Sequence, residues 1–380
     1  MSEHTGRVLR FSRGIPPIEA IPGDRLAEQV RAVLDEFGPT MFQYPPIGSY
    51  LGDPALREQL AKAHNADPDH IVVTTGSLQA LDLLATRLLT GDSPLVYVEG
   101  PTYDRAARIF ERHGARVSSI PVESDGMDIG RLRDRLRDEV PDVLYTIPDF
   151  QNPSGVTLSG EKRRELVELA EVYGFTVLED IPYRRIRFHG TPPPGLGEIA
   201  GSARVITIGS LSKVLSPGLR VGYAVSDGDT ARTLATLSEG VYLSPVPLCQ
   251  AVAARCLRLG IVDENVARIV DLLRPRHDAA EAAVRAMIGD AMLAVPGGGY
   301  YIGVRLSVDE DEQSFIDRAS REGLALIPGS AFYPRAERRP PGELFLRLPF
   351  QSLTPDEFEA GVGRLSTVIS ARTRLEGVNR

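Results

Sequence analysis

Gly209-Ser210-Leu211-Ser212-Lys213-Val214-Leu215-Ser216-Pro217-Gly218-Leu219-Arg220 follows a short β-branched run at 205–208 and sets hydroxyls, one lysine and one arginine between glycine and proline punctuation. A segment that only turned the chain would have no use for that set. Lysine is also scarce: Lys62, Lys162 and Lys213 are the three lysines among 43 basic residues. The first two fall on the polar faces of predicted helices, where a solvated lysine is the ordinary expectation. Lysine chemistry in this chain therefore points to Lys213.

Working outward, residues 70 to 225 alternate short apolar runs with longer helical stretches, the pattern of a mostly parallel sheet wrapped by helices. Strands are expected at 71–75, 94–99, 116–120, 142–147, 176–179, 205–208 and 221–225, and helices at 78–90, 103–113, 129–138 and 159–173. Ser159 reads as the cap of the last of these, with Leu166, Leu169 and Val172 at helical spacing behind it. A long helical region at 247–288 leads to strands near 293–295, 300–305 and 344–348 and helices near 312–322 and 355–370. One helix, 24–37, stands in the Gly- and Pro-bearing N-terminal segment. The expectation is an α/β fold: a large domain, 45–280, with a mostly parallel seven-stranded sheet, and a smaller α+β domain from 281–380 with the N-terminal arm 1–44.

In open α/β sheets ligands bind beyond the carboxyl ends of the strands, and here those ends carry polar residues. After 71–75 comes Gly76-Ser77-Leu78-Gln79, a helix start able to seat a phosphate or simply to cap the helix. After 94–99 comes Gly100-Pro101-Thr102-Tyr103, whose ring could cover a planar ligand or fill the core. After 142–147 comes Pro148 to Gly155, in which Pro153 pushes Asn152 toward an extended backbone. After 176–179 stand Asp180 and Tyr183, a carboxylate and a phenol at the end of an apolar strand, placed for chemistry or simply for a surface loop.

Together these residues resemble the fold type I pyridoxal-phosphate enzymes, specifically the class I/II aminotransferases that include the aminoadipate and aromatic transaminases. The marks span nearly the whole chain: Gln43-Tyr44 with Gly48 and Leu56-Arg57, Gly76-Ser77, Pro101-Thr102-Tyr103, Asn152-Pro153-Ser154-Gly155, Asp180-Ile181-Pro182-Tyr183, the segment from Ser210 to Arg220, Gly298-Gly299 and Leu346-Arg347-Leu348.

The resemblance implies that Lys213 carries pyridoxal 5'-phosphate as a Schiff base and later shuttles the substrate's proton. It implies that Asp180 pairs with the pyridinium nitrogen, so that the ring draws electrons, and that Tyr183 and Asn152 bond the ring's phenolate oxygen. Tyr103 stacks on the ring. Gly76, Ser77, Leu78, Ser210, Ser212 and Arg220 hold the phosphate. Arg347, with Asn152, grips the substrate carboxylate, and Tyr44 reaches the phosphate of a neighbouring subunit, which makes a homodimer. Arg13, in Phe11-Ser12-Arg13-Gly14, is a candidate reader of an acidic or polar substrate side chain, or an exposed loop arginine. Two places depart from the pattern: the hindered segment Ser49-Tyr50-Leu51-Gly52-Asp53-Pro54, and an extra glycine in Gly297-Gly298-Gly299-Tyr300-Tyr301.

Composition excludes other classes. A formal charge of −8 argues against a nucleic-acid backbone as partner, no apolar run reaches membrane length, and Cys249 and Cys256 match no metal or redox spacing. No metal site is expected, and the chain reads as cytosolic. The expected reaction is transfer of an amino group from an amino acid to a 2-oxo acid by a ping-pong route. The scaffold leaves oxidase, β-elimination or decarboxylation chemistry open, and more remotely a cofactor-binding regulatory domain.

Overall fold

The β-branched runs between residues 70 and 225 all form strands of one sheet. In the computed structural model, which describes residues 7–46, 48, 50–337 and 342–376, the strands are β1 (Leu9–Phe11), β2 (Ile71–Thr74), β3 (Leu95–Gly100), β4 (Arg116–Glu123), β5 (Gly126–Met127), β6 (Val143–Thr146), β7 (Thr176–Asp180), β8 (Val205–Ser210), β9 (Gly222–Val225), β10 (Tyr301–Ser307), β11 (Leu324–Leu326) and β12 (Glu343–Pro349). Ser49, in the hindered segment, lies outside the described residues. The large sheet runs in the order β2-β9-β8-β7-β6-β3-β4-β5. It has eight strands rather than the seven expected, because β5 is a two-residue antiparallel addition to β4, too short to show a period. The run from β8 to β4 is parallel, while β9 is antiparallel to both β2 and β8.

A strand with both faces covered alternates its side chains between two cores, and this sheet does so. Val96, Val98, Val143, Tyr145, Leu178 and Ile208 join the larger core, which also takes in the helix Ser77–Leu88. Tyr97, Leu144 and Val177 point the other way, to a smaller core shared with the helices Ile129–Asp138 and Gly160–Tyr173. Ser159 caps the second of these, accepting from the Lys162 amide. Lys162 itself is not freely solvated as expected. It is paired with Glu123 and Asp125.

The expected helical region at 247–288 is two helices, Pro247–Arg258 and Ile261–Ile288, parted at Gly260, whose φ of 72° closes the first and opens the second. Pro54–His64, which carries Lys62 and whose bounds the sequence pattern left open, and Gly228–Tyr242, which the strand-helix pattern did not announce, are helices each capped by an aspartate, Asp53 and Asp227. Outside the large sheet, β10 and β12 form an antiparallel ribbon and β1 pairs in parallel with β11. No strand forms at 293–295; an isolated bridge joins Met292 to Val304. No described helix is long and apolar enough to cross a membrane.

Candidate active site

β2, β3, β6, β7 and β8 all end at one edge of the large sheet, where antiparallel β9 begins. The topology thus gathers Gly76, Tyr103, Asn152, Asp180 and Lys213 from segments up to 137 residues apart by their numbering. Asp180 is buried at the end of β7, and its Oδ2 accepts a hydrogen bond of 2.8 Å from the Tyr145 hydroxyl on β6. Burial pushes the Asp180 carboxyl up to about 7, against the opposing pull of Tyr145 and Lys213. Its Oδ1 is buried with no hydrogen-bond partner. A lone carboxylate oxygen in such a place is costly unless a cation or N–H donor completes it.

Lys213 donates from Nζ to the Gly14 carbonyl at 2.9 Å and lies 5.9 Å and 5.6 Å from the ring centres of Tyr183 and Tyr300. Burial, reinforced by the positive charge of Arg347 and opposed by Asp180, lowers its amine to about 8. Such a lysine has a far larger neutral, nucleophilic fraction near pH 7 than a solvated one.

The cradle expected for the phosphate rests on missing side chains. Gly76 has φ 78°, and a Cβ there would sit 2.1 Å from Arg220 Nη2; a Cβ on Gly222 would meet the Gly76–Ser77 backbone at 2.4 Å. Gly76 caps the helix Ser77–Leu88, so the first amides of that helix, Ser77 and Leu78 among them, have no intrahelical acceptor. Across from them the Ser210 hydroxyl donates to Ser212 Oγ at 2.9 Å, and Arg220, exposed and in the left-handed region at φ 52°, reaches the Thr75 carbonyl. Amides, two hydroxyls and a guanidinium form a donor set suited to a phosphate dianion.

Arg347 enters from the ribbon, on β12. Its Nη1 donates to Asn152 Oδ1 at 2.8 Å and its Nη2 to the Ser12 carbonyl at 2.9 Å, while Nε is buried without a partner. Its guanidinium lies 4.8 Å from the rings of both Tyr301 and Phe332. Tyr183 shares a hydrogen bond of 3.1 Å with Tyr301, and burial holds its phenol well above the ordinary range. Tyr103 caps the helix Asp104–Arg112, half-buried, and burial raises its phenol too.

Two expected residues stand apart. Tyr44 is 76 % exposed, beside an equally open Phe42 at 72 %, and touches none of these groups within its own chain. Arg13 is exposed. Its carbonyl accepts from Gln351, and no described partner meets its guanidinium. Sequence reasoning missed Tyr145, Gly14 and Phe332, and gave no role to Tyr301. Tyr145 had a readable signal: a tyrosine inside an apolar strand needs a partner for its hydroxyl. The extra-glycine run is steric in origin, since a Cβ on Gly298 would lie 2.2 Å from the Ile186 carbonyl and one on Gly299 2.5 Å from Phe150 Cβ.

Below the site, buried Asp149 takes Arg163 at 3.0 Å, Arg184 at 3.0 Å and Arg187 at 3.2 Å. Asp149→Ala leaves Arg163, itself fully buried, without its counter-ion. The expected cost is about 3–5 kcal/mol of stability in urea unfolding, and a loss under 1 kcal/mol would show that the three arginines find other acceptors.

The aminotransferase class I and II family model matches residues 8–365. The chain is 32 % identical over 372 residues to the 2-aminoadipate transaminase of Thermus thermophilus, covering 97 % of this chain and 91 % of that one. It is 29 % identical to aromatic-amino-acid aminotransferase 1 of Thermococcus litoralis, over 96 % of this chain and 88 % of the relative. Among solved structures it superposes on the kynurenine aminotransferase of Pyrococcus horikoshii, in complex with PMP, with a TM-score of 0.90 at 30 % identity, covering 97 % and 92 % of the two chains.

Proposed function

We infer, for a chain that belongs to the aminotransferase class I and II family and so is a pyridoxal-phosphate-dependent aminotransferase, that Lys213 is its cofactor-bearing residue and Asp180 the partner of the ring nitrogen. The observation that carries this is the orphaned Asp180 Oδ1 beside a buried lysine of lowered pKa. The cofactor, when bound, supplies an electron sink that weakens the substrate's Cα–H bond and carries the amino group between half-reactions.

The chain's own residues do the rest. Gly76, Ser77, Leu78, Ser210, Ser212 and Arg220 would hold the phosphate by backbone, hydroxyl and guanidinium donors, and Asn152 and Tyr183 would bond the ring oxygen. Tyr103 would cover the ring face. Arg347 would offer its fork to the substrate carboxylate in exchange for the acceptors it now holds, and Lys213, freed by the incoming amine, would move the proton at Cα. Arg13, exposed and unpaired among the described residues, is the candidate reader of an acidic or polar side chain.

The test of the reading is a visible spectrum of the protein purified with pyridoxal phosphate, before and after addition of single donors. Aromatic amino acids, 2-aminoadipate and kynurenine come first, because the similar enzymes are named for them. A donor should convert the bound cofactor to its amine form and release a 2-oxo acid; absence of bound cofactor would overturn the assignment. Arg347→Ala should raise KM for donor and acceptor alike by about 10²- to 10³-fold, as expected for a lost charge-assisted fork.

Residues 45–280 are taken as the cofactor-binding unit, and 1–44 with 281–380 as the small domain, a division supported by the separate sheets of the two parts. The two unpaired cysteines support a cytosolic location. Exposed Tyr44 and Phe42 support a homodimer in which Tyr44 completes the partner's phosphate site. Co-expression of Lys213→Ala chains with Tyr44→Ala chains would then recover about one quarter of wild-type sites by random pairing, from two variants that are each nearly inactive. Activity no greater than the sum of the two variants would rule out sharing.

A further inference from the structure

Glu99, the penultimate residue of β3, is a buried carboxylate that the reaction does not use. It points to the smaller-core side of the sheet, opposite Tyr145 and the larger core. Three donors converge on it: the Thr146 hydroxyl at 2.9 Å, the Ile147 amide at 3.0 Å and the Gln151 side-chain amide at 3.2 Å. All three belong to β6 or to the turn that leaves it. The same Gln151 amide donates to the Pro101 carbonyl at 2.6 Å, which joins the exit of β3, just before Tyr103, to the exit of β6.

On its other side, Gln151 Oε1 accepts from the Ser154 amide at 2.9 Å and hydroxyl at 2.5 Å. The Ser154 carbonyl accepts from the Gly303 amide at 3.0 Å, and Gly303 stands opposite Arg347 in the β10–β12 register. Arg347 donates back to Asn152, the residue that follows Gln151 in that turn. Hydrogen bonds and strand pairing thus lead from Glu99 to Gln151 and on through Ser154 and Gly303 to Arg347, whose bond to Asn152 returns to the residue next to Gln151.

We propose that Glu99 is a positioning residue for the reaction: acting through Gln151, it fixes the turn 148–155 and so sets where Asn152 and Arg347 meet cofactor and substrate. The proposal rests on the site reading above for the roles of those two residues. Its logic is donor complementarity. Thr146, Ile147 and Gln151 all present hydrogens, and a carboxylate accepts from all three where an amide accepts from fewer. Burial pushes Glu99 up to about 7, and the three donors pull it back toward the charged form. An opposed pair of amides at positions 99 and 151 would force the turn to shift, and displacements of about 1 Å at a binding group cost up to 10²-fold.

The experiment compares wild type, Glu99→Gln and Thr146→Val, each loaded with pyridoxal phosphate. Four quantities are read: kcat, KM for donor and acceptor, the pH midpoint of the cofactor's absorption, and the thermal midpoint. In Glu99→Gln both KM values should rise about tenfold with a smaller fall in kcat, and the absorption midpoint should move, because Asn152 bonds the ring oxygen. Thr146→Val, which removes one donor with little change of shape, should show the same effects at about threefold. A purely structural carboxylate would lower the thermal midpoint and leave KM and absorption midpoint alone; that outcome, in any variant that folds and binds cofactor, overturns the proposal. Failure of the wild type to bind cofactor would instead overturn the site reading.

Discussion

Lys213→Ala lowers kcat by about four powers of ten or more, the scale of losing a covalent anchor together with an acid–base group. Borohydride reduction of the loaded wild type, followed by peptide mass mapping, should place the cofactor on the peptide that contains Lys213. The variant should bind cofactor weakly and carry no adduct. An adduct on Lys62 or Lys162 would end the assignment. Neither is placed for it: Lys62 is exposed on its helix, and Lys162 is held by two carboxylates.

Asp180→Asn should show opposite effects on activity and on the stability of the cofactor-free chain. Removing a preorganised group that would stabilise charge in the transition state costs about 10²- to 10³-fold, so kcat in the loaded enzyme should fall by that much. Without cofactor, the same carboxylate is a burden. Its pKa in the folded chain, about 7, lies above its ordinary value of 3.8. The folded chain therefore keeps a proton that the unfolded chain loses, and stability declines as pH rises from about 4 to about 7.

Lys213 has the converse shift, about 8 against 10.5. Its penalty is fully present below pH 8 and is relieved as pH climbs from 8 to 10.5. Near pH 8 the cofactor-free wild type carries the whole Asp180 penalty, and Asp180→Asn should raise its thermal midpoint there while leaving it unchanged near pH 4. The asparagine also forfeits the attraction between Asp180 and Lys213, which for both groups is smaller than the effect of burial. A midpoint lowered at pH 8 would mean that this attraction dominates.

Much of this arrangement was readable in the residues because strand ends punctuate themselves. Apolar β-branched runs terminated by Gly76-Ser77, Asp180 or Ser210 announce both the strand and its functional edge, and these residues meet at the edge of the large sheet. What stayed hidden depends on distance in sequence or on brevity. β1 and β5 are three and two residues long, below the length at which alternation means anything. Gly14 reaches Lys213 across 199 positions, and Tyr145 meets Asp180 only because β6 and β7 are neighbours in register. The break at Gly260 was masked by helix-forming residues on both sides. Glu99 looked like one more strand residue, since nothing in its neighbours shows that the next strand brings it three donors.

On the proposed roles, the substrate's carboxylate and the cofactor would be held by different sheets: Arg347 rises from the β10–β12 ribbon, and Lys213, Asp180 and the residues proposed to hold the phosphate line the edge of the eight-stranded sheet. Substrate choice and proton chemistry are consequently separable properties of this enzyme. Variation in the ribbon and the N-terminal segment that spares Arg347, Tyr301 and Gly14, which bond Asn152, Tyr183 and Lys213, can redirect which amino acids enter while the groups that would tune the cofactor keep their surroundings. A library restricted to those positions should yield changed donor preference at constant cofactor absorption, a modular route by which one catalytic apparatus serves many substrates.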